Sequence, residues 1–195
     1  MSTTTTTPHD ALTTELERLY YIERELCGEL ETLAADVAID TLDDGRVTEC
    51  RERLWETIDG HCDETQRHCE RIERAFDALG EEPRTRPVPA FDGLIADKEA
   101  FNNVVLNDEL RPLYYIETTL KLEALECTIY ETTMALANSL EDEAGERVVD
   151  ALRPNYDDER AMRTELESLS DSDAVELLLA SSPVGEASRG SLDRR

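Results

Sequence analysis

The stretch of residues 48–79 reads TECRERLWETIDGHCDETQRHCERIERAFDAL. Its apolar residues, one threonine and both histidines recur every three or four positions, a period that matches one face of an α-helix. Gly80 follows this stretch and Pro83 comes three residues later, which is typical of a helix that ends here. We therefore predict a long amphipathic helix whose buried face carries two histidines. The residues of that face are Leu54, Ile58, His61, Thr65, His68, Ile72, Phe76 and Leu79.

The same period predicts three further long helices, over residues 10–37, 108–140 and 143–169. The third predicted helix is apolar on most sides, so we expect it to be the most buried. Pro154 predicts a bend or break near the middle of the fourth. Residues 84–107 hold Pro87, Pro89 and a short helical pattern, which indicates a crossover containing a small helix. The fold class predicted is all-α, an antiparallel four-helix bundle with a long crossover containing a short helix.

The two ends of the chain differ in composition from the predicted bundle, which we assign to residues 10–170. Residues 1–9 are rich in threonine and are predicted to be disordered. In residues 171–195, positions 173–180 could form a short helical turn. Residues 181–195 are small, polar and charged, which predicts a disordered tail.

The charge of the chain limits its partners. Its 46 Asp and Glu outnumber 20 Lys and Arg, for a net charge of -26. This balance argues against nucleic acid and anionic membrane surfaces as partners. An acid-rich chain whose only lysines are Lys98 and Lys121 resembles cytoplasmic proteins of salt-loving archaea. We interpret the acidity as a solvated halophilic surface and expect the fold to need salt to screen self-repulsion.

The cysteines and the N-terminal sequence both indicate the cytoplasm. Five cysteines are an odd number, lie inside helical patterns and follow no signal peptide, so we interpret them as reduced thiols. The threonine run after Met1 has no basic start and no apolar stretch. No later stretch approaches the length of a membrane span.

Charged residues interrupt the apolar stripes of three predicted helices. Glu23, Glu126 and Glu159 occupy positions where the repeat calls for an apolar side chain. A lone buried carboxylate is costly because its charge loses water. Several carboxylates that converge become favourable when cations lie between them, as in di-iron and di-manganese carboxylate bundles. One hypothesis is therefore a metal site in the bundle core.

The second helix supplies matching groups for such a site. His61, Glu64 and His68 are three and four residues apart, so they share a face of the helix. By helical phase Glu64 lies at the edge of the core stripe, and the two histidines lie nearer its centre.

Other interpretations of these residues stay open. In so acidic a chain some glutamates fall on a stripe by chance and reach solvent from its edge, and the histidines could be ordinary core residues. The pairs His61-Cys62 and His68-Cys69 suggest zinc, but they lie on one helix, whereas closed zinc sites gather ligands from two elements. We interpret Cys62 and Cys69 as small buried apolar groups. We find no phosphate-binding loop or nucleophile elbow, so nucleotide and hydrolase chemistry lack support.

With these residues in view, the chain resembles the YciE/YciF family of ferritin-like stress proteins over about residues 12–169. The ordered combination of His-x-x-Glu-Thr, Leu-Gly-x-x-Pro and Gly-Leu-Ile is fairly specific, although each piece alone is weak. The motifs are LYYIE at 19–23, HCDET at 61–65, LGEEP at 79–83, FDGLI at 91–95, EALE at 123–126 with Tyr130, and DE at 158–159.

The resemblance implies a ferritin-like bundle with a central dinuclear metal site, a homodimer, and a link to stress rather than to a defined reaction. The metal implied is iron or manganese, as one or two ions. The ligands implied are Glu23, His61, Glu64, Glu123, Glu126 and Glu159.

Two positions depart from the family pattern. The family commonly has histidine where this chain has Ala124, and an acidic residue or histidine where it has Arg163. A guanidinium one turn after Glu159 would pair with that carboxylate and replace the second cation. The leading hypothesis is thus a ferritin-like protein with a mononuclear or dinuclear iron or manganese site, acting in stress or oxidant handling. The alternative is a metal-free structural or interaction protein in which Glu126 and Arg163 form buried polar pairs.

Overall fold

The structure is a computed structural model that describes residues 7–38, 45–104, 111–172 and residue 175. Over these ranges the chain is helical and has no strand. None of these helices is both long and apolar enough to cross a membrane. Most of both predicted disordered ends, and most of the predicted turn at 173–180, lie outside the described residues. The helices are α1 (Pro8–Ala38), α2 (Gly45–Leu79), α3 (Pro89–Val104), α4 (Arg111–Asn138) and α5 (Glu143–Ser170).

The four long helices α1, α2, α4 and α5 form a bundle in which neighbouring helices are antiparallel. Tyr20 of α1 donates a hydrogen bond to Glu73 of α2 at 2.6 Å, whereas Glu23 contacts His68. Higher numbers on α1 thus face lower numbers on α2. Similar pairings relate α4 to α5 and α2 to α5. The predicted all-α, ferritin-like four-helix bundle is therefore confirmed.

The short helix α3 packs on the outside of the bundle against α4, and side-chain hydrogen bonds link it to α1, which runs in the same direction. The Tyr21 hydroxyl donates to Asp92 at 2.6 Å, and further along Asn102 donates to Asp36 at 2.9 Å. The crossover therefore carries the chain back along the bundle, so that α2 and α4 start from the same end. This is the predicted long crossover with a short helix.

Two glycines explain how the long helices end and meet. Gly80, with φ of 71°, ends α2, and the N–H of Glu81 bonds to the carbonyl of Phe76 at 3.1 Å. A residue with a side chain rarely adopts this left-handed conformation. Gly145 lies where a Cβ atom would be 2.3 Å from the carbonyl oxygen of Ala137, so α4 and α5 approach closely at that point. Asp142 caps α5 by accepting from the N–H of Gly145 at 2.8 Å.

The apolar stripes lie in the core as predicted, and the predicted helix bounds differ from the observed ones by a few residues. Of the bend or break predicted at Pro154, the break is absent, because α5 is continuous through this residue. Proline removes the N–H that would bond to the carbonyl of Asp150, but both residues face solvent, where water can satisfy that carbonyl. The five cysteines, which all lie in the described part of the chain, form no disulfide bond. Cys62 and Cys69 are half-buried rather than buried.

Candidate metal centre

A layer of ionisable side chains lies in the core of the bundle, on helix faces that otherwise carry mostly apolar side chains. We call its six members the central cluster. Each of them occupies a core position on its helix, and none is more than 2% exposed. One comes from α1, two from α2, two from α4 and one from α5. They are Glu23, His61, His68, Glu123, Glu126 and Glu159.

The cluster contains two groups of three ligands, and Glu159 belongs to both. One group is Glu23, His68 and Glu159, and the other is His61, Glu123 and Glu159. Within each group the possible ligand atoms lie within 4.8 Å of one another. In the first group, His68 Nδ1 is 2.8 Å from Glu159 Oε1 and 3.2 Å from Glu23 Oε2. In the second, His61 Nε2 is 3.3 Å from Glu159 Oε2 and 3.6 Å from Glu123 Oε1.

Several polar atoms of the cluster have no hydrogen-bond partner although they are buried. Both carboxylate oxygens of Glu123 and Glu126 are in this state, and the oxygens of Glu159 have only the ring nitrogens of His61 and His68 beside them. Leaving one buried polar group unpaired costs about 1–3 kcal/mol, and more for a charged group. So many unpaired ligand atoms in one place indicate that something beyond these side chains satisfies them.

Each histidine of the cluster has a carboxylate at its other ring nitrogen. His61 Nδ1 is 3.3 Å from Glu64 Oε2, and His68 Nε2 is 3.3 Å from Asp158 Oδ2. Metal-binding histidines usually donate their second N–H to such a group, which fixes the tautomer and the ring orientation. The arrangement leaves Nε2 of His61 and Nδ1 of His68 facing the buried carboxylates.

A hydrogen-bond network holds the far side of the cluster. Tyr130 donates a short hydrogen bond to Glu23, and its oxygen accepts from Asn155 Nδ2 at 2.8 Å. Asn155 Oδ1 in turn accepts from Arg71 at 3.0 Å, and Arg71 also donates to Asp158 at 2.8 Å. Asn155 is fully buried on the apolar stripe of α5. The network fixes the Glu23 carboxylate and the Asp158 carboxylate that faces His68.

The carboxyl groups of the cluster differ in their affinity for protons. Burial raises the pKa of Glu23, Glu123 and Glu126, because a charged carboxylate loses its water in the core. Burial also acts to raise the pKa of Glu159, but hydrogen bonds and positive charge from His61 and His68 outweigh it and hold that pKa below its usual range. Glu159 is therefore the carboxylate of the cluster that most favours the charged form.

The histidines show the complementary effect. Burial acts to lower the pKa of His68, but the charges and hydrogen bonds of Glu23 and Glu159 raise it to about 10. Burial likewise opposes protonation of His61, and Glu159 and Glu64 raise its pKa well above the usual value. The negative charge of the carboxylates thus stabilises the protonated form of both imidazoles, and it would stabilise a metal cation in the same way.

The residues present fit a metal ion of the first transition series. Carboxylate oxygen and imidazole nitrogen are ligands of iron and manganese, and neither group of three includes a thiolate. Two ligand atoms each about 2.1 Å from one ion lie about 3 Å apart, close to the separations between His68 and its carboxylates. Cys62 and Cys69 lie beside the histidines in sequence, but neither belongs to the two groups, which gives no support to the zinc interpretation.

The structure brings together five of the six residues that we predicted as ligands. Glu64 is the exception: its side chain is 37% exposed and lies behind the ring of His61. His68, which is absent from the ligands that the resemblance implies, lies in the cluster, in agreement with its helical phase near the centre of the stripe. Asn155 was missed, although it is a polar residue within an apolar stripe, like the glutamates.

The proposed charge replacement by Arg163 is wrong. Its side chain is 45% exposed and its Nε lies 2.9 Å from Glu167 Oε1, not near Glu159 or Glu126. The buried stripe of α5 runs from Glu159 through Met162 to Leu166, so a residue four positions after Glu159 falls at its outer edge. Ala124 is half-buried beside Glu123, which is itself fully buried.

Comparison with known proteins agrees with this architecture. YcfI, a putative structural protein from Rhodopseudomonas palustris, is 25% identical and superposes with a TM-score of 0.73, over 86% of this chain and 98% of that one. The E. coli stress protein YciF is 21% identical, with a TM-score of 0.71 over 90% of this chain and 97% of that one.

A search of curated protein sequences found no match. A family model does match residues 7–178, under the description "Domain of unknown function (DUF892)". This span is most of the chain, and the similarity to YciF agrees with the resemblance seen in the motifs. The chain therefore belongs to the DUF892 family, whose ferritin-like fold it shares with YciF and YcfI.

Proposed function

We propose that this protein binds two iron or manganese ions in its central cluster and uses them in oxidant handling under stress. The observation that carries the proposal is the position of Glu159, a charged carboxylate shared by two groups of three buried ligands. Glu23 and His68 would hold one ion together with Glu159, and His61 and Glu123 would hold the other together with the same residue.

Glu126 is the remaining buried carboxylate, and both of its oxygens lack a hydrogen-bond partner. After burial, the charges of Glu159, Glu23 and Glu123 raise the pKa of this residue further, so it lies close to both groups of ligands. We propose Glu126 as an additional ligand, which would bind one ion or the other. Iron or manganese, when bound, would supply one-electron redox chemistry that no side chain in this layer supplies alone.

The protein side of this chemistry is positioning. Tyr130 and Asn155 fix one oxygen of Glu23, while Glu64 and Asp158 orient the two imidazoles. The mostly apolar core around the cluster excludes water, which strengthens the electrostatic interactions inside the cluster. The proposal includes a homodimer that acts in the cytoplasm. Light scattering of the purified protein tests the oligomeric state.

A second candidate function is a metal-free helical bundle with a structural role. The observation that favours it is the pKa of His68, raised to about 10 by Glu23 and Glu159. A protonated imidazolium between two carboxylates could take the place of a cation. YcfI, the relative with 25% identity, carries the description "putative structural protein".

Metal content separates the two candidates. The protein is purified without chelator in high salt, and bound metal is measured by elemental analysis together with protein concentration. We expect about two first-row ions per chain, as in dinuclear bundles of this type. Metal-stripped protein should melt at a higher temperature after addition of Fe(II) or Mn(II) without oxygen, because the ions bind the folded state. An empty protein whose melting is indifferent to both ions would favour the structural role.

A further inference from the structure

A groove between α2 and α5 leads from solvent to the central cluster. It encloses a cavity of about 310 Å³, and His61 of the cluster contributes to its lining. His61 itself is only 2% exposed, so the groove reaches a residue that is otherwise buried. Nε2 of the His61 ring faces the cluster and lies 3.3 Å from Glu159 Oε2.

Glu64 connects this groove to the cluster. It lines the cavity, its side chain is 37% exposed, and Oε2 lies 3.3 Å from His61 Nδ1. A carboxylate that touches both water and the buried ring is well placed to receive a cation and release it inward.

The mouth of the groove has an excess of negative charge. Glu56 and Glu165 line it together with a single basic residue, Arg53. Thr57 donates to Glu165 Oε1 at 3.1 Å, which ties α2 to α5 and holds that carboxylate at the mouth. Negative charge along a cleft raises the local concentration of cations and their rate of association.

Gly60 is the smallest residue that lines the groove. It lies on α2 directly before His61, and a Cβ atom built there meets nothing within 4 Å. Glycine inside a helix costs about 1 kcal/mol relative to alanine, so its presence here has no benefit for the helix. Its small size does leave room between the two helices.

The groove on the other side of α5 makes a useful contrast. It lies between α4 and α5, encloses about 280 Å³, and is lined by Arg160 and Arg163. No member of the central cluster lines it, although Cys127 does. Glu131 and Glu167 also line this groove and balance the two arginines, so it has no excess of negative charge to attract a cation. Size is therefore similar on the two sides of α5, and charge and access differ.

We propose that the α2–α5 groove is the route by which a divalent cation reaches the central cluster, with Glu64 the last exposed carboxylate before His61. This inference rests on the proposed function, because it needs the cluster to bind metal. By this inference Gly60, Glu64 and Glu165 affect how fast the metal ions bind, although they are not ligands of the ions.

Stopped-flow loading of metal-stripped, full-length protein with Co(II) tests the route, with the absorbance of bound Co(II) as the readout. Gly60→Leu should load slower than wild type by on the order of tenfold, a barrier increase of about 1.4 kcal/mol. The final number of ions should be unchanged. Gly60→Ala should show a smaller delay, because its side chain fills less of the groove.

The chain offers matched controls for both features. Gly28 is exposed on α1, lies outside the groove, and has nothing within 4 Å of a built Cβ, so Gly28→Leu controls for the change in helix propensity. Glu165→Gln should also slow loading, whereas Glu52→Gln, which removes the same charge from an exposed position on α2 away from the groove, should not.

The outcomes separate this inference from the proposed function. If wild type takes up no Co(II), Fe(II) or Mn(II), both fail. If wild type loads and Gly60→Leu loads at the rate of Gly28→Leu, the route is wrong and the metal site stands. A reduced final stoichiometry in Gly60→Leu would also overturn the route, because a residue of the path affects how fast ions arrive and not how many bind.

Discussion

The central cluster and the layer next to it along the bundle are built on the same four helices by opposite means. Toward the end where α1 and α5 begin, the core is apolar and fully buried, with Leu16, Phe76, Ala137 and Leu152 at 0% exposed. In the central cluster the same degree of burial applies to four carboxyl groups and two imidazoles. The helical repeat thus places the residues of both layers on the buried faces of their helices, and the layers differ only in the chemistry of their side chains.

The difference shows where stability and function lie. Burial of apolar side chains contributes about 25 cal/mol per Å² to folding. Burial of a carboxylate opposes folding unless it is paired, protonated or bound to a cation. The apolar layer therefore stabilises the bundle whatever the cluster binds, and the cluster depends on its ligand. Four substitutions or conditions test this division.

The largest effect is expected from the apolar layer. Phe76 is fully buried and its ring meets that of Tyr20 edge-on at 6.0 Å. Phe76→Ala should lower the free energy of unfolding by about 3–5 kcal/mol, because it removes apolar contacts and leaves a cavity. The loss should be the same with metal and with chelator, since the two layers act independently. Urea unfolding in both conditions measures it, and a loss that depends on metal would break the division between layers.

The next effect is expected in the cluster and should have the opposite sign. Glu126→Gln keeps the size of the side chain but removes a carboxyl group whose oxygens are buried and unpaired. In metal-stripped protein we expect a gain of about 1–3 kcal/mol, because an amide costs less to bury than a repelled carboxylate. The rise in melting temperature on adding Mn(II) should shrink or disappear.

Glu117→Gln on the same helix is the matched control for Glu126→Gln. Glu117 is 55% exposed and pairs with Lys121 at the surface. We expect it to leave the response to Mn(II) unchanged. If Glu126→Gln destabilised the metal-stripped protein and kept the full response to Mn(II), Glu126 would be an ordinary packed residue and not a ligand.

The third effect is a pH dependence that appears only without metal. The pKa of His68 is raised to about 10, so its contribution to stability is complete below its unfolded pKa, about 6.5, and is lost as pH rises through 10. The pKa values of Glu23, Glu123 and Glu126 are also raised, so their contribution falls as pH rises above their unfolded value. Glu159 has the opposite sign, but its contribution changes only in acid, below its unfolded pKa.

All the groups that titrate above pH 5 therefore act in one direction. Metal-stripped protein should lose on the order of 1–3 kcal/mol of unfolding free energy between pH 6.5 and 9. Metal-loaded protein should show no such loss, because its ligands are already deprotonated and binding strengthens as pH rises. Urea unfolding at constant high salt measures both curves. A metal-stripped protein that gained stability over this range would show that the histidines are neutral in the fold.

Much of the fold could be predicted because apolar residues at spacings of three and four leave little choice of face. The same spacing predicts core positions for Glu23, Glu126 and Glu159, and all three are fully buried. It also predicts that Glu64 lies at the edge of the stripe and His68 nearer its centre, as the structure has them. The carboxylates that each histidine meets could not be predicted, because they depend on how the other helices pack against α2. The pairing of Asn155 with Tyr130 could not be predicted for the same reason, since the two residues meet across α4 and α5.

The smallest effect is expected from Arg163, the residue for which the sequence pattern suggested the largest alternative role. If its guanidinium neutralised Glu159, Arg163→Ala would leave a buried carboxylate unpaired and would destabilise the protein strongly. In the structure Arg163 is exposed and pairs with Glu167 one turn along α5, and such a surface pair contributes little, the less so in high salt. Arg163→Ala should therefore leave the melting temperature and the response to Mn(II) unchanged. Calorimetry of wild type and Arg163→Ala, each with metal and with chelator, gives four values that should fall into two pairs set by metal alone. A substantial loss of stability confined to the chelated variant would mean that Arg163 reaches the cluster when no cation is there, and the layer would then have a built-in substitute for its metal.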